Sequence, residues 1–199
     1  MSETKTLLEL AGADLTPAAI GDATLILIDI QEEYRSGPIA VTGFVPAAVA
    51  AAHLLSKARE SGSPVIHVAH KGRPGGLFDR AAERGQIAAE LAPLSGEAIV
   101  EKSLPNAFAG TNLHALLENA GRKNVILAGF MTHMCVSSTA RAALDLGYRV
   151  TIDAEACATR DLPDGTGGVI RADVVHNVAL AELADRFAII ARRQSKPAS

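Results

Sequence analysis

Three side chains that could carry out a reaction together stand at positions 29, 102 and 135. Asp29 and Lys102 each close a short apolar run, and Cys135 follows a third run after one turn. A thiol attacks as the thiolate, and its unperturbed pKa of about 8.5 leaves it mostly protonated at neutral pH. A nearby ammonium group favours the thiolate, and a carboxylate can accept the thiol proton and return it to a leaving amine. Together the three types support acyl transfer to sulfur followed by hydrolysis.

Each of these residues also has an ordinary structural explanation when it is taken alone. Asp29 could cap a loop, Lys102 could be a solvated surface lysine, and Cys135 could be a small buried core residue. Cys157, the other cysteine, has no lysine near it in sequence and is predicted to be structural. The case for function therefore depends on whether the fold brings the three residues together.

The surrounding sequence predicts six strands that mostly alternate with helices. Nearly continuous apolar runs are typical of strands buried on both faces of a parallel sheet. The predicted strands are 24–29, 64–70, 98–102, 124–129, 148–154 and 187–191, and the predicted helices are 45–62, 112–121, 135–147 and 171–185. The Gly- and Pro-rich connection 71–96 is predicted to be a functional loop with room for one short helix. This alternation predicts an α/β fold with a mostly parallel sheet.

Such a sheet would deliver the three reactive residues to one edge, because sites in open α/β sheets form at the carboxyl ends of the strands. Cys135 would open the helix 135–147, where unpaired backbone N–H groups favour an anion. With Lys102 nearby, this position predicts a lowered thiol pKa. The third strand lies away from the first in the usual strand order, so Lys102 is expected to reach back through its loop.

Composition narrows the class of protein. The length of 199 residues predicts one domain, 1–199, with its core at about 22–191. A net charge of −3 without a long basic run argues against nucleic acid as a partner. No segment approaches the roughly 20 apolar residues of a membrane span, and the N-terminus lacks the apolar core of a signal peptide. The sequence thus predicts a cytoplasmic protein with a small-molecule substrate and no membrane partner.

The arrangement of motifs resembles that of the isochorismatase-like cysteine hydrolases over roughly residues 24–190. The resemblance rests on Asp29 after the first strand, Lys102 after the third, and 129-GFMTHMCVSSTARAA-143 opening a helix. It implies a three-layer Rossmann-like fold, with an about six-stranded sheet and helices on both faces. It also implies that Asp29, Lys102 and Cys135 form a catalytic triad.

The same resemblance implies details of the site and of the assembly. A cis peptide bond is expected between Phe130 and Met131, so that the backbone N–H groups of Met131 and Cys135 face an oxyanion. Family members are commonly dimers or tetramers, which predicts a homodimer or a homotetramer.

The presence of Cys135 favours hydrolysis of a C–N bond in an amide, urea, lactam or carbamoyl group, since the enzymes that name the family cleave a vinyl ether and lack this cysteine. Nicotinamidases of the family bind a metal through Asp-x-His after the second strand, whereas this chain has 70-HKG-72 there. Neither a metal nor another cofactor is therefore predicted. The alternatives are an isochorismatase-type ether hydrolase, a catalytically silent assembly module, and a redox-sensing thiol.

Several side chains near the predicted sheet edge are candidates for binding the substrate. They are Tyr34, His70, Phe78, Asn106, Phe108, Phe130 and His133. His70 could equally be a hydrogen-bonded histidine at a strand end, and Phe78 and Phe108 could instead plug the sheet edge. His176 lies in a helical pattern and is predicted to have no role in the site.

Overall fold

A six-stranded parallel sheet forms the middle layer of the molecule, in the strand order β3-β2-β1-β4-β5-β8. The computed structural model describes residues 4–192. The strands of the sheet are β1 (Ala23–Ile28), β2 (Val65–His70), β3 (Ala98–Lys102), β4 (Asn124–Phe130), β5 (Arg149–Ala158) and β8 (Ile189–Ala191). A small antiparallel hairpin, β6 (Leu162–Pro163) and β7 (Val169–Ile170), stands apart from it.

Helices cover both faces of the sheet and complete the three layers. They are α1 (Leu7–Leu10), α2 (Glu33–Ser36), α3 (Phe44–Glu60), α4 (Leu113–Ala120), α5 (Ser137–Asp145) and α6 (Ala172–Arg186). Helix α3 packs on one face, where Ala47, Ala51, Leu55 and Ala58 recur at helical spacing and are buried. Helices α4, α5 and α6 bury their apolar residues on the other face. The predicted α/β class with helices on both faces is thus confirmed.

The boundaries of several elements differ from the prediction for local reasons. The segment predicted to open the helix 135–147 forms a separate π turn, Thr132–Val136, before α5 begins at Ser137. Strand β5 continues past a bulge to Ala158 and pairs with β4 again there. The connection 71–96 contains two single 3₁₀ turns, Glu83–Gly85 and Ala89–Leu91, in place of one short helix.

Strands β1 and β4 approach each other very closely just before the π turn. Gly129 has a φ of +137°, and a Cβ atom added there would lie 2.0 Å from the carbonyl oxygen of Ile28. A side chain at this position would therefore meet main-chain atoms that cannot move without disturbing the pairing of the two strands.

We expect Gly129→Ala to lower the free energy of unfolding by about 3 kcal/mol or more, because it combines a backbone clash with a φ that L residues rarely adopt. Gly121→Ala is the matched control, since Gly121 has a φ of +67° and nothing within 4 Å of its added Cβ. Its cost should stay near 1 kcal/mol. Thermal and urea unfolding measure the stability of both variants. Equal losses of stability would show that the backbone clash at Gly129 does not contribute.

A partly buried ion network joins α3 to the β2–β3 edge of the sheet. Arg59 contacts Glu97 through two hydrogen bonds of 2.7 and 2.9 Å, and His67 Nε2 lies 2.9 Å from Glu97 Oε2. The Arg59 guanidinium is the main cause that lowers the pKa of Glu97 to about 2, with the Leu94 N–H adding to it. The carboxylate form of Glu97 is therefore the one that the fold stabilises.

We expect Glu97→Gln to cost about 2 kcal/mol of stability at pH 7, the worth of charge-assisted hydrogen bonds at a partly buried site. Because the folded pKa lies below the ordinary value of 4.5, the wild-type advantage is complete above pH 4.5 and is lost as the pH falls towards 2. Urea unfolding of both proteins across that range measures it. Glu118→Gln, at an exposed glutamate 3.7 Å from His114, should show no such pH-dependent difference.

The described residues include no helix that is long and apolar enough to cross a membrane.

Candidate active site

Asp29 and Cys135 meet because their strands are neighbours in the sheet. Asp29 directly follows β1, and Ile28 at the end of that strand pairs with Gly129 of β4. The Asp29 N–H donates to the carbonyl of Val68 at 2.9 Å, and its φ of +52° turns the chain away from the strand direction. The carboxylate is thereby held at the carboxyl edge beside the π turn that carries Cys135.

Lys102 reaches both groups across the end of β2. It is the last residue of β3 and pairs with His70. Its Nζ lies 2.5 Å from Asp29 Oδ2, donates to Cys135 Sγ at 3.3 Å, and lies 3.2 Å from His70 Nδ1. The expectation that Lys102 comes back through its loop was wrong. Two strand spacings, about 10 Å, are bridged by the lysine and aspartate side chains themselves.

The three reactive groups are almost completely closed off from solvent. The exposed fractions of Asp29, Lys102 and Cys135 are 0%, 2% and 4%. Burial raises the pKa of Asp29, and the neighbouring Lys102 charge offsets part of this effect. The Asp29 carboxyl group is therefore a stronger base than an exposed aspartate.

Burial also raises the pKa of the Cys135 thiol to about 12; the Asp29 charge adds to this effect and Lys102 opposes it. The predicted lowering of this pKa was wrong. The helix begins two residues later than expected, so Cys135 lies inside the π turn, and burial and a close carboxylate outweigh the lysine. The resting sulfur is a thiol, and its activation requires that the proton leaves as the bond to substrate forms.

This protonation state predicts slow alkylation of Cys135 by iodoacetamide at pH 7, with a rate that rises only at strongly alkaline pH. Asp29→Asn should shift the alkylation profile to lower pH, because it removes a negative charge that raises the thiol pKa. Peptide mass mapping from pH 6 to 11 follows Cys135 and the fully buried Cys157 separately. A wild-type midpoint below that of a free thiol would contradict the buried-thiol state.

Two hydrogen bonds fix the π turn to neighbouring elements. The peptide bond between Phe130 and Met131 is cis, as the resemblance implied. Thr132 Oγ1 and His176 Nδ1 of α6 are 2.9 Å apart, and His133 Nδ1 and Thr159 Oγ1 are 2.6 Å apart. His176, for which the sequence predicted no role, therefore holds the turn in place.

A group of aromatic rings adjoins the reactive residues through His70, whose Nδ1 lies 3.2 Å from Lys102 Nζ. The Tyr34 ring contacts Phe78 and Phe130 edge to face, with centroids 5.2 and 5.8 Å apart, and the His70 ring lies 4.8 Å from Phe78. Burial, followed by the charges of Asp29 and Cys135, raises the pKa of Tyr34, so its hydroxyl stays protonated. Tyr34, His70 and Phe78 are thus brought to the site together.

The other candidate residues make contacts of a different kind. Phe130 is completely buried, and its ring centroid lies 5.2 Å from that of Phe44 and 5.8 Å from that of Tyr34. Phe108 stacks on Tyr148 with centroids 6.3 Å apart, and its N–H donates to Asn106 Oδ1 at 2.9 Å. Substrate contact by Asn106, Phe108, Phe130 or His133 stays a prediction.

Sequence reasoning missed the buried polar residues that hold the connection 71–96 beside the site. Gln31 Nε2 donates to the carbonyls of His70 and Gly85, at 3.0 and 2.7 Å. Glu33 Oε2 accepts from the Phe78 N–H at 3.1 Å, and Phe78 has a φ of +56°. The signal was the polar run 31-QEE-33 directly after a buried strand.

Two further features concern ligands. No group of three or more His, Cys, Asp or Glu side chains within 4–192 is arranged to hold a metal ion. A cavity of about 550 Å³ lies between α3, β5 and α6, lined in part by Glu155, Asp173 and His176, and none of the three reactive residues lines it. The cavity adjoins the π turn, because Thr159 and His176, which hold that turn, also line it.

Comparisons with known proteins agree with this architecture. A family model described as Isochorismatase domain matches residues 23–195. The chain is 38% identical over 177 residues to the Secreted isochorismatase effector Isc1 of Verticillium dahliae, covering 88% of this chain and 90% of that protein. It is 32% identical over 153 residues to a maleamate amidohydrolase of Pseudomonas putida, covering 68% and 72% of the two chains.

A solved structure shares the whole architecture. An isochorismatase from Pseudomonas putida KT2440 matches with a TM-score of 0.92 at 45% identity, over 96% of this chain and 97% of that one. Since the family model covers most of the chain and the fold agrees throughout, this protein belongs to the isochorismatase family of hydrolases.

Proposed function

We propose that the protein is a cysteine-dependent hydrolase that cleaves the C–N bond of a small amide, urea, lactam or carbamoyl compound through a covalent thioester. The observation that carries the proposal is the buried contact of Lys102 with both Asp29, at 2.5 Å, and Cys135 Sγ, at 3.3 Å. A carboxylate, an ammonium and a thiol in one closed site are the parts that covalent acyl transfer requires.

In the first half of the reaction, Cys135 Sγ attacks the carbonyl carbon while Asp29 takes the thiol proton. The raised pKa of Asp29 makes it a stronger base than an exposed aspartate, and the forming C–S bond drives the transfer by lowering the affinity of sulfur for its proton. The backbone N–H groups of Met131 and Cys135 are proposed to bind the oxyanion. As the C–N bond breaks, protonated Asp29 gives its proton to the leaving nitrogen, and the acyl group stays on sulfur.

In the second half, water hydrolyses the thioester. Asp29 removes a proton from the water as its oxygen attacks the acyl carbon, and the C–S bond then breaks. The departing sulfur takes the proton back from Asp29, and Lys102 stabilises the negative charge that develops on sulfur as it attacks and as it leaves. Each cycle consumes one water and releases an amine or ammonia with an acid, so the scheme needs neither a metal nor another cofactor.

Two observations favour C–N cleavage over ether cleavage. A thiol beside a carboxylate suits nucleophilic attack on a carbonyl, whereas an ether offers no acyl carbon to sulfur. The relative from Pseudomonas putida is named maleamate amidohydrolase, which is an amide-cleaving activity. The competing ether hydrolase would not accumulate an acyl-enzyme, and a silent assembly module would not react at all.

We also propose that the protein forms a homodimer or a homotetramer. Helices α3 and α6 present apolar side chains to solvent, namely Val45, Val49, Val174 and Val178. Sedimentation equilibrium tests the oligomeric state. The cytoplasmic location stays a prediction, since one relative is named a secreted effector.

The test of the proposed function is a panel of small amides, ureas, lactams and carbamoyl compounds, with release of ammonia or amine as the readout. Assays with and without a chelator test metal independence. Denaturing mass spectrometry of quenched reactions should show an adduct with the mass of the acyl group on the peptide of Cys135. Turnover without any such adduct, also at short quench times, would argue against the thioester.

A further inference from the structure

One side chain of helix α6 is hydrogen-bonded to the π turn. His176 Nδ1 lies 2.9 Å from Thr132 Oγ1, and Thr132, the first residue of the turn, is completely buried. Helix α6 also packs against the turn. The bond between the imidazole and the hydroxyl therefore joins the turn that carries Cys135 to a helix of fifteen residues.

The π turn is bonded internally, so that it moves as one piece. The N–H groups of Met134 and Val136 both donate to the carbonyl of Met131, at 3.0 and 3.3 Å. Thr132 and Cys135 lie within this closed stretch of chain. A shift of Thr132 is therefore passed on to the Cys135 sulfur and to the backbone N–H groups beside it.

The contacts of Cys135 leave little room for such a shift. Its Sγ accepts from Lys102 Nζ at 3.3 Å, and the same Nζ lies 2.5 Å from Asp29 Oδ2. These groups reach the sulfur from the ends of β3 and β1, whereas His176 holds the turn from α6. Attack on a carbonyl requires the reacting atoms at about 3–3.5 Å, and a misplacement of about 1 Å can cost about 10²-fold in rate.

The ring of His176 is suited to a bond with a hydroxyl. Burial, followed by the charge of Arg192, lowers the pKa of His176, and the charge of Glu155 opposes this effect. The neutral imidazole has one donor and one acceptor nitrogen, and a hydroxyl can bond to either. The contact with Thr132 therefore forms without placing a positive charge beside the turn.

We propose that His176 is a positioning residue of the hydrolase: its hydrogen bond to Thr132 holds the π turn where Cys135 Sγ and the backbone N–H groups of the turn meet the scissile carbonyl. This inference rests on the proposed function, because it assigns a further residue to the same reaction. His176 acts through Thr132 and does not itself touch the substrate. Its loss should therefore lower kcat and leave KM nearly unchanged.

Steady-state kinetics of variants at both ends of the bond test the proposal. His176→Leu should lower kcat by about 10²-fold, the effect of a misplaced reacting group, with KM within a few-fold. Thr132→Val removes the hydroxyl from the other end and should cause a similar loss. The double variant should be no slower than the slower single variant, because both changes remove the same bond. Losses that multiply would show two independent effects and overturn the proposal.

Two ways of restoring the bond separate positioning from support of the fold. His176→Asn should recover most of kcat, since its amide can take the place of Nδ1. His176 also lines the cavity of about 550 Å³ beside the turn. Because the ring contacts both the cavity and Thr132, His176→Ala should extend the cavity as far as the Thr132 hydroxyl. A cavity of this kind takes up a small ring compound.

Free imidazole at pH 8, where it is mostly neutral, should therefore raise kcat of His176→Ala at least ten-fold. It should have no such effect on Thr132→Val, which lacks the hydroxyl that the ring would bind. Parallel assays with the Cys135→Ala protein measure any hydrolysis by imidazole itself. A loss that neither asparagine nor imidazole restores would come from the fold alone and would overturn the positioning role.

His114→Leu is the matched control. His114 Nδ1 lies 3.0 Å from the Tyr148 hydroxyl, so this change also removes one bond between an imidazole and a hydroxyl. It should leave kcat within a few-fold of the wild type. Thermal unfolding checks that each variant is folded, and Thr132→Val carries the test if His176→Leu does not fold.

Acylation by p-nitrophenyl acetate makes the test independent of the amide substrate. Cys135 takes the acetyl group and p-nitrophenolate leaves, so a burst of p-nitrophenolate gives the rate, with Cys135→Ala as the blank. If His176→Leu slows this burst by about 10²-fold and the wild type cleaves no compound of the panel, the positioning role stands and amide hydrolysis fails. If the wild type cleaves amides and His176→Leu keeps kcat, hydrolysis stands and the role of His176 is overturned. A wild type that is neither acylated nor active overturns both.

Discussion

Replacing Cys135 by alanine is expected to lower kcat by about 10⁴-fold or more, because removal of a nucleophile leaves only the contribution of binding and oriented dipoles. The Sγ atom is the only group in the mechanism that forms a covalent bond with substrate. Alanine leaves Asp29 and Lys102 in their ion pair, so the rest of the site should persist. Ammonia release measured against the best substrate of the panel gives the ratio.

The fold should survive this substitution. Losing one buried sulfur atom is comparable to losing a methyl group, about 1 kcal/mol, which lowers Tm by about 2–4 °C for a chain of this size. Cys157→Ala is the matched control, because Cys157 is also buried and its thiol pKa is also about 12. It should cost a similar amount of stability and leave kcat within a few-fold. Equal activities for the two variants would remove the basis of the covalent mechanism.

The sheet and its edge could be predicted from the sequence because continuous apolar runs end at recognisable polar residues. The runs before Asp29 and before Cys135 placed both residues at the carboxyl edge, and the structure confirms that their strands, β1 and β4, are adjacent. A buried parallel strand is specified by its own few residues and their flanks. This is why the predicted strand positions agree with the structure better than the prediction for the loop between β2 and β3 does.

The chemistry of the thiol could not be predicted in the same way. A helix N-terminus and a lysine indicate a lowered thiol pKa, yet Cys135 is 4% exposed and lies beside Asp29. Burial is set by the packing of several elements, and the sequence does not show which charge comes closest.

Asp29→Asn is expected to lower kcat by about 10³-fold, within the range that general acid–base groups contribute. Asparagine has nearly the same shape and tolerates the positive φ of +52° at this position better than most residues. Its amide cannot take the thiol proton, return it to the leaving nitrogen or activate water. The loss should therefore appear in both halves of the reaction, and rapid quench should show slow formation of the acyl-enzyme as well as slow hydrolysis.

The pH profile gives the sharper test of this role. Asp29 must be ionised to act as a base, so kcat/KM of the wild type should rise with pH through the Asp29 pKa, which lies above the ordinary value of 3.8. The midpoint belongs to the coupled group of Asp29, Lys102 and Cys135 rather than to one residue. Asp29→Asn should lose this acid limb, and an unchanged limb would assign the proton transfer to another group.

Asp29→Asn also leaves the Lys102 ammonium buried without its counter-charge, and such a change costs about 3–5 kcal/mol when an ion pair is broken on one side. A variant that merely unfolds would mimic a catalytic loss. The double variant Asp29→Asn with Lys102→Met removes both charges and should recover part of the lost stability without recovering activity. If the double variant regains stability but not turnover, the activity lost in Asp29→Asn is due to the missing carboxylate and not to unfolding. Removal of Lys102 changes the stability of the variant without restoring its activity, so the two effects of Asp29 can be told apart.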